Sequence, residues 1–184
     1  MTHSEIYLNE TAKIADSIDF WGIEQMADSL SKCLGRIYVI GLGGSLANAI
    51  HFAADLRKLC KLDATAFDNI AELTARANDD GFATIFDGWL SRMNDKDILF
   101  VLSVGGGEGQ VSEGISWAVH EAKRKAAKIL GIVGPIGGST AKLGDIVVTV
   151  PAAQRVTPHT EAFQAVIWHC LVSHPYLQKQ PTKW

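Results

Sequence analysis

The chain has 184 residues, 47% of them apolar and 20% charged, with a net charge of −3. That length can bury a full single-domain core, and the acidic balance speaks against nucleic acid or an anionic membrane surface as a partner. No apolar run approaches the roughly 18 residues of a membrane span, and Met1-Thr2-His3-Ser4 lacks the basic-then-apolar pattern of a secretory leader, so a cytoplasmic protein is expected. Cys33, Cys60 and Cys170 have no paired spacing and are expected to be free, buried thiols.

Residues 1–34 read as two helices. Ile6, Ala12, Ile14, Ala15 and Ile18 mark the first; Phe20, Ile23, Met26, Ala27, Leu30 and Leu34 mark the second, at spacings of three and four. Gly35 ends it. Residues 36–40 form a short buried strand that runs into Gly41-Leu42-Gly43-Gly44-Ser45, and a helix follows over 45–59. Residues 64–67 are extended. Polar-punctuated helices come next, separated by the loop Asn78-Asp79-Asp80-Gly81-Phe82. Residues 97–103 are a second buried strand, which runs into Gly105-Gly106-Gly107 before a helix over 110–125. Residues 127–133 and 145–150 are two more strands, the latter closed by Pro151. Thr157 as N-cap, with Pro158 at the first helical position, starts a last helix that reaches about Ser173. Residues 175–184 carry two prolines and are expected to be a loosely ordered tail.

Continuously apolar strands alternating with helices predict an α/β fold, a parallel sheet covered on both faces in three layers. One domain is expected over 1–184, with a helical segment at 1–34, a sheet core at 35–174 and the tail.

Ligands of such sheets bind beyond the carboxyl ends of the strands, where both glycine clusters fall. Gly43, Gly44 and Ser45 open a helix and offer an anion free N–H groups and close backbone approach. As a dinucleotide fingerprint the loop fails, because Leu46 stands where a third glycine belongs. Ser103, Gly105, Gly106 and Glu108 belong to the second loop, where the glycines serve either a close ligand or a flexible turn. Two other stretches set metal-ligand-type side chains along one helix face: His51 and Asp55, four apart, and Glu161 and His169, eight apart. Brought together, they suit acid–base chemistry or a divalent metal. Singly, His51 and Asp55 also make an ordinary surface pair, His169 a core histidine and Glu161 a first-turn acid. His159, near the same helix start, is a further candidate to assist. His3, His120 and His174 read as surface residues. Trp21, Trp89, Trp117, Trp168 and Trp184 read as core or interface.

A strand, Gly-x-Gly-Gly-Ser, a helix bearing His-Phe-Ala-x-Asp-Leu and then Asn-Asp-x-Gly-Phe together resemble the SIS-domain (sugar isomerase) family. Within it the chain is most similar to the phosphoheptose isomerases, which interconvert sedoheptulose 7-phosphate and a heptose 7-phosphate. The resemblance covers almost the whole chain. It implies a flavodoxin-like five-stranded parallel sheet and an aldose–ketose isomerase that works through an enediol on a sugar phosphate. It implies self-association into a homotetramer with sites at subunit interfaces. It also implies Asp55 and His169 as the acid–base pair, and His51, Asp55, Glu161 and His169 as ligands of a divalent metal, zinc foremost. Gly43, Gly44, Ser45, Asn78, Asp79, Ser103, Gly105, Gly106 and Glu108 are implied around the substrate. The chain departs from the family at Asp55, where Glu is usual, at Glu161, where Gln is usual, and at Leu42, where Asn is usual. In the second loop only Ser103 keeps a hydroxyl, and Glu108 stands where a serine would face phosphate. A carboxylate repels phosphate in a partly desolvated site. A different sugar therefore stays open, as does a non-catalytic scaffold that binds a sugar phosphate or a protein partner.

Overall fold

Five short strands, continuously buried at the centre, carry the architecture: β1(Ile37–Ile40), β2(Ala64–Ala66), β3(Ile98–Ser103), β4(Lys128–Val133) and β5(Ile146–Thr149). They pair in the order β2-β1-β3-β4-β5, and every pairing is parallel. This is the expected flavodoxin-like sheet. The chain leaves β1 toward one edge and β3 toward the other, so the order reverses between them and opens a crevice at their carboxyl ends. The computed structural model describes residues 1–109 and 111–182; Gln110, Lys183 and Trp184 lie outside the described residues.

Successive strand residues point to opposite faces. Ile37, Val39, Phe100, Leu102, Leu130, Ile132 and Val148 pack beneath α1(His3–Ser17), α2(Phe20–Ser31), α3(Gly44–Cys60) and α8(Val156–Val172). Tyr38, Ile40, Leu99, Val101 and Ile129 pack beneath the other layer. That layer holds α4(Ile70–Asp79), the 3₁₀ turn Phe82–Thr84, α5(Asp87–Leu90), α6(Glu113–Arg124) and α7(Gly138–Leu143).

The first two helices form as their sequences dictate. Thr2 and Glu5 make a capping box, Glu5 N donating to Thr2 Oγ1 at 3.3 Å and Thr2 N to Glu5 Oε2 at 2.6 Å. Asp19 Oδ1 accepts from Gly22 N at 3.1 Å and starts α2. Of the apolar positions read from the spacing, Ile14, Ile18, Ile23, Met26, Ala27 and Leu30 are buried, whereas Phe20 and Leu34 are exposed.

Four expectations are corrected. α8 begins at Val156, with Arg155 in a left-handed conformation at the cap position and no side-chain cap, so Thr157 is not the N-cap and Pro158 is the third helical residue. α6 begins at Glu113 rather than 110. Only Cys60 is a buried thiol, its pKa raised by burial to about 11; Cys33 is half-buried and Cys170 exposed. The tail is docked: Leu177 is 1% exposed in the core, and Lys179 N and Gln180 N donate to Leu59 O at 2.8 and 3.1 Å.

His159 links the first and last helices. It is fully buried, stacks on Tyr7 at 4.3 Å between ring centroids, and its Nε2 lies 2.9 Å from Glu10 Oε2. Arg155 Nη1 donates to the other Glu10 oxygen at 2.5 Å. The His159 hydrogen bond, and after it Arg155, hold the Glu10 carboxyl below its ordinary value of 4.5 against the opposing effect of burial. A carboxyl depressed in the folded state stabilises the fold above its unfolded pKa, and the stabilisation is lost as pH falls through the folded value. Glu10→Gln is expected to melt lower than wild type at neutral pH and to show a smaller fall in Tm on acidification below 4.5. Parallel Tm–pH curves for the two proteins would remove Glu10 from this role.

Candidate functional site

β1 leads directly into α3 and β5 into α8, so both helices start at the carboxyl edge of the sheet and run parallel down one face. Their contacts form rungs. At the top, the Glu161 carboxylate lies over Gly44; a Cβ on that glycine would stand 2.4 Å from Oε2, so a larger residue there would push the carboxylate aside. One turn down, Asn48 Nδ2 donates to Glu161 O at 2.9 Å and to Gln164 Oε1 at 3.1 Å. The next rung is aromatic: the His51 ring meets Trp168 edge-on at 4.6 Å and His169 at 5.6 Å. At the foot, Cys60 Sγ donates to Val172 O at 3.7 Å.

The third rung is the chemical one. Ligand atoms of His51, Asp55 and His169 all lie within 4.8 Å of one another, the group among the described residues placed to share a metal ion. His51 Nε2 is 3.5 Å from Asp55 Oδ2. The Asp55 side chain is 16% exposed and that of His51 59%, so one donor is recessed and one open. His169 Nδ1 is 2.7 Å from Ala165 O. A carbonyl only accepts, so Nδ1 carries a proton and Nε2 is the nitrogen left for a ligand. Trp168, 1% exposed, stacks on the same imidazole at 3.5 Å and fixes the ring plane.

These donors fit a divalent metal. Tetrahedral zinc with bonds near 2.0–2.1 Å sets its ligand atoms about 3.4 Å apart, close to the His51–Asp55 separation of 3.5 Å. The backbone partner on the second nitrogen of His169 is the usual support of a ligating histidine.

The other expected residues fall elsewhere. Glu161 is not in the group of three. A stripe of eight residues keeps one face but rises about 12 Å, and side chains lean toward the helix N-terminus, which carries Glu161 toward Gly44 and away from His51. The group lying over Gly44 is therefore the chain's own carboxylate, while Gly43 keeps an open side and Ser45 is buried. Asn78 and Asp79 are exposed on α4, in the opposite layer, where Asn78 Nδ2 donates to Asp79 Oδ1 at 2.7 Å. Ser103 Oγ accepts from Gly106 N at 3.0 Å. Gly106 O in turn accepts from Thr140 N at 2.9 Å and Thr140 Oγ1 at 2.8 Å, which ties the second loop to the start of α7. Gly105 keeps an open side, the nearest atom to an added Cβ being 3.9 Å away, and Glu108 is exposed.

His159 is engaged with Glu10 and does not join the group. His174, expected on the surface, has a side chain 11% exposed and faces Glu24 Oε2 at 3.1 Å. Of the tryptophans, Trp168 is in the core beneath α3 and α8 and Trp89 packs, partly buried, against the core on the other face of the sheet, whereas Trp21 and Trp117 are 75% and 50% exposed. Sequence reasoning did not single out Gln164, fully buried against Asn48, or the contact of Trp168 with both histidines. The alignment of Asn48, Gln164 and Trp168 along facing helix stripes was the available clue.

No protein-family model matches the chain. It is similar to the phosphoheptose isomerase of Syntrophotalea carbinolica, 29% identical over 178 residues that cover 90% of this chain and 88% of that protein. It is 34% identical over 145 residues to the phosphoheptose isomerase of Nitratiruptor sp., covering 75% of this chain and 74% of that one. The fold matches the solved phosphoheptose isomerase of Neisseria gonorrhoeae with a TM-score of 0.82 at 26% identity, covering 92% of this chain and 94% of the other.

Proposed function

The chain belongs to the phosphoheptose isomerase family of SIS-domain proteins, enzymes of the aldose–ketose isomerase type, and from that premise we propose that it interconverts sedoheptulose 7-phosphate and the corresponding aldose at His51, Asp55 and His169. The observation that carries the reading is the convergence of these three side chains, with His169 Nδ1 held against the Ala165 carbonyl.

The reaction moves one carbon-bound proton between neighbouring carbons and one hydroxyl proton between neighbouring oxygens, through a cis-enediol. Asp55 and His169 are the pair that removes and returns these protons. The recessed Asp55 carboxylate is shielded from water on α3, and the Ala165 carbonyl keeps the His169 proton on Nδ1. His51, Asp55 and His169 would hold a divalent metal, zinc foremost, which when bound polarises the carbonyl and hydroxyl oxygens. Glu161 would join that set only by swinging away from Gly44.

The reading extends to a homotetramer of single-domain chains. Ile50 and Val166 are 38% and 58% exposed beside the site, an apolar rim suited to a second copy. Asn78 and Asp79, on the opposite layer of their own chain, would serve a neighbour's site. A cytoplasmic location agrees with three free thiols; no described helix is long and apolar enough to cross a membrane.

Proton NMR of sedoheptulose 7-phosphate in D₂O, with and without added zinc, tests the proposal. The expected result is loss of the proton alpha to the carbonyl and growth of aldose signals. Tight binding without exchange would point to a sugar-phosphate-binding protein. A second substrate reading, a sugar without a phosphate at the second loop, is favoured by Glu108 and by the use of Ser103 Oγ within the loop. Glu108→Ser is then expected to tighten phosphate-ester binding by about tenfold; an unchanged Kd would count against that reading.

A further inference from the structure

A cavity of about 620 Å³ opens in front of His51, Asp55 and His169, within the range of small-molecule sites. Its far wall belongs to neither α3 nor α8. It is built by the segment that follows α8, which the sequence marks only as a proline-bearing tail.

That segment is fixed at three places. The His174 side chain faces Glu24 of α2 at 3.1 Å. Leu177 N and Gln178 N both donate to His174 O at 2.9 Å, and the Leu177 side chain is buried in the core. Lys179 N and Gln180 N then donate to Leu59 O. Leu59 stands in the last turn of α3, where a carbonyl has no helical N–H to accept. The strap thus caps α3 and carries Gln178 and Gln180 onto the cavity. Lys58, three residues beyond Asp55 on the same helix face, lines it too, and among the described lining residues it is the one lysine or arginine.

We propose that residues 174–182 and Lys58 form a subsite of this active site. The Gln178 and Gln180 carboxamides hydrogen-bond the hydroxyls of an open sugar chain, and the Lys58 ammonium receives an anionic group at its far end. The inference rests on the isomerase reading. Each carboxamide both donates and accepts, which matches a row of hydroxyls. A lysine binds phosphate as a point charge. The second glycine loop offers Glu108 in place of a cation, so Lys58 is the better electrostatic match for the anionic end.

Calorimetric titration of wild type, Lys58→Ala and the double variant Gln178→Ala/Gln180→Ala, each with sedoheptulose 7-phosphate and with sedoheptulose, tests it. Lys58→Ala is expected to weaken the phosphorylated sugar about tenfold and leave the plain sugar unchanged. The double variant is expected to weaken both sugars by a similar factor, with Tm unchanged. Wild-type affinity in both variants would overturn the subsite while leaving the isomerase reading intact. A fall in Tm that accompanies the lost affinity would make the strap a structural cap only and overturn it as well. A wild-type protein that binds neither sugar would overturn the isomerase reading, and the subsite with it.

Discussion

Replacing His169 by alanine is expected to lower kcat by about 10³-fold, the scale of a positioned acid–base group, with a metal site weakened in parallel. The side chain is solvent-facing, so the fold loses an exposed hydrogen bond to Ala165 O, an edge contact with His51 and the stacking on Trp168, the last about 1 kcal/mol. His169→Ala should therefore keep a cooperative melt within a few degrees of wild type while proton exchange into sedoheptulose 7-phosphate stops. Unchanged exchange would exclude His169 from the chemistry. Asp55→Asn separates the two jobs proposed for that carboxylate: it keeps the shape, would remove the base and would weaken a metal ligand. Zinc affinity measured beside exchange then shows which loss dominates.

Gly106→Ala is expected to be the most damaging single-methyl change for stability. Gly106 has φ +63°, a conformation that costs an alanine roughly 1–2 kcal/mol, and its Cβ would stand 2.1 Å from Gly137 O. The clash is with backbone, which cannot rotate aside as a side chain can. The loop would have to part from α7 and give up the hydrogen bonds from Thr140. A loss of about 3 kcal/mol follows, seen as a Tm lower by about 10 °C for a chain of this size. Gly105→Ala is the control, because an added methyl there meets nothing closer than 3.9 Å. If Gly105→Ala melts as wild type yet loses sugar affinity, the loop also touches ligand. If Gly106→Ala melts normally, the packing account of the glycines fails.

The sheet was legible because each central strand is a short run of apolar residues closed by a turn. Such runs leave no other choice than a parallel sheet buried on both faces. His51 and Asp55 were legible because four residues is one helical turn. Glu161 stands apart from the group of three for the same geometric reason: a shared stripe does not give a shared height, and two turns separate it from His169. The start of α8 was misread because Thr157-Pro158 is a good local start signal. The chain instead enters through Arg155, held left-handed while its guanidinium reaches Glu10 on α1. That partner lies 145 residues away and no window of sequence displays it. The glycines of the second loop were open to two readings for the same reason, since their close neighbour is the backbone at Gly137 and Gly138. The tail looked loose because its anchor, the Leu59 carbonyl, exists only once α3 has ended.

The rungs between α3 and α8 also bear on how this chain tolerates change in length. Each residue advances a helix by about 100°, so a single residue inserted between Gln164 and His169 would leave the upper rungs seated and swing the imidazole a quarter-turn off its partners. Trp168 would leave the core in the same step. Additions after Phe82 or in the exposed stretch near Glu108 shift no such phase. Among relatives that keep this chemistry, insertions should therefore crowd into those loops and spare the four residues from Ala165 to Trp168.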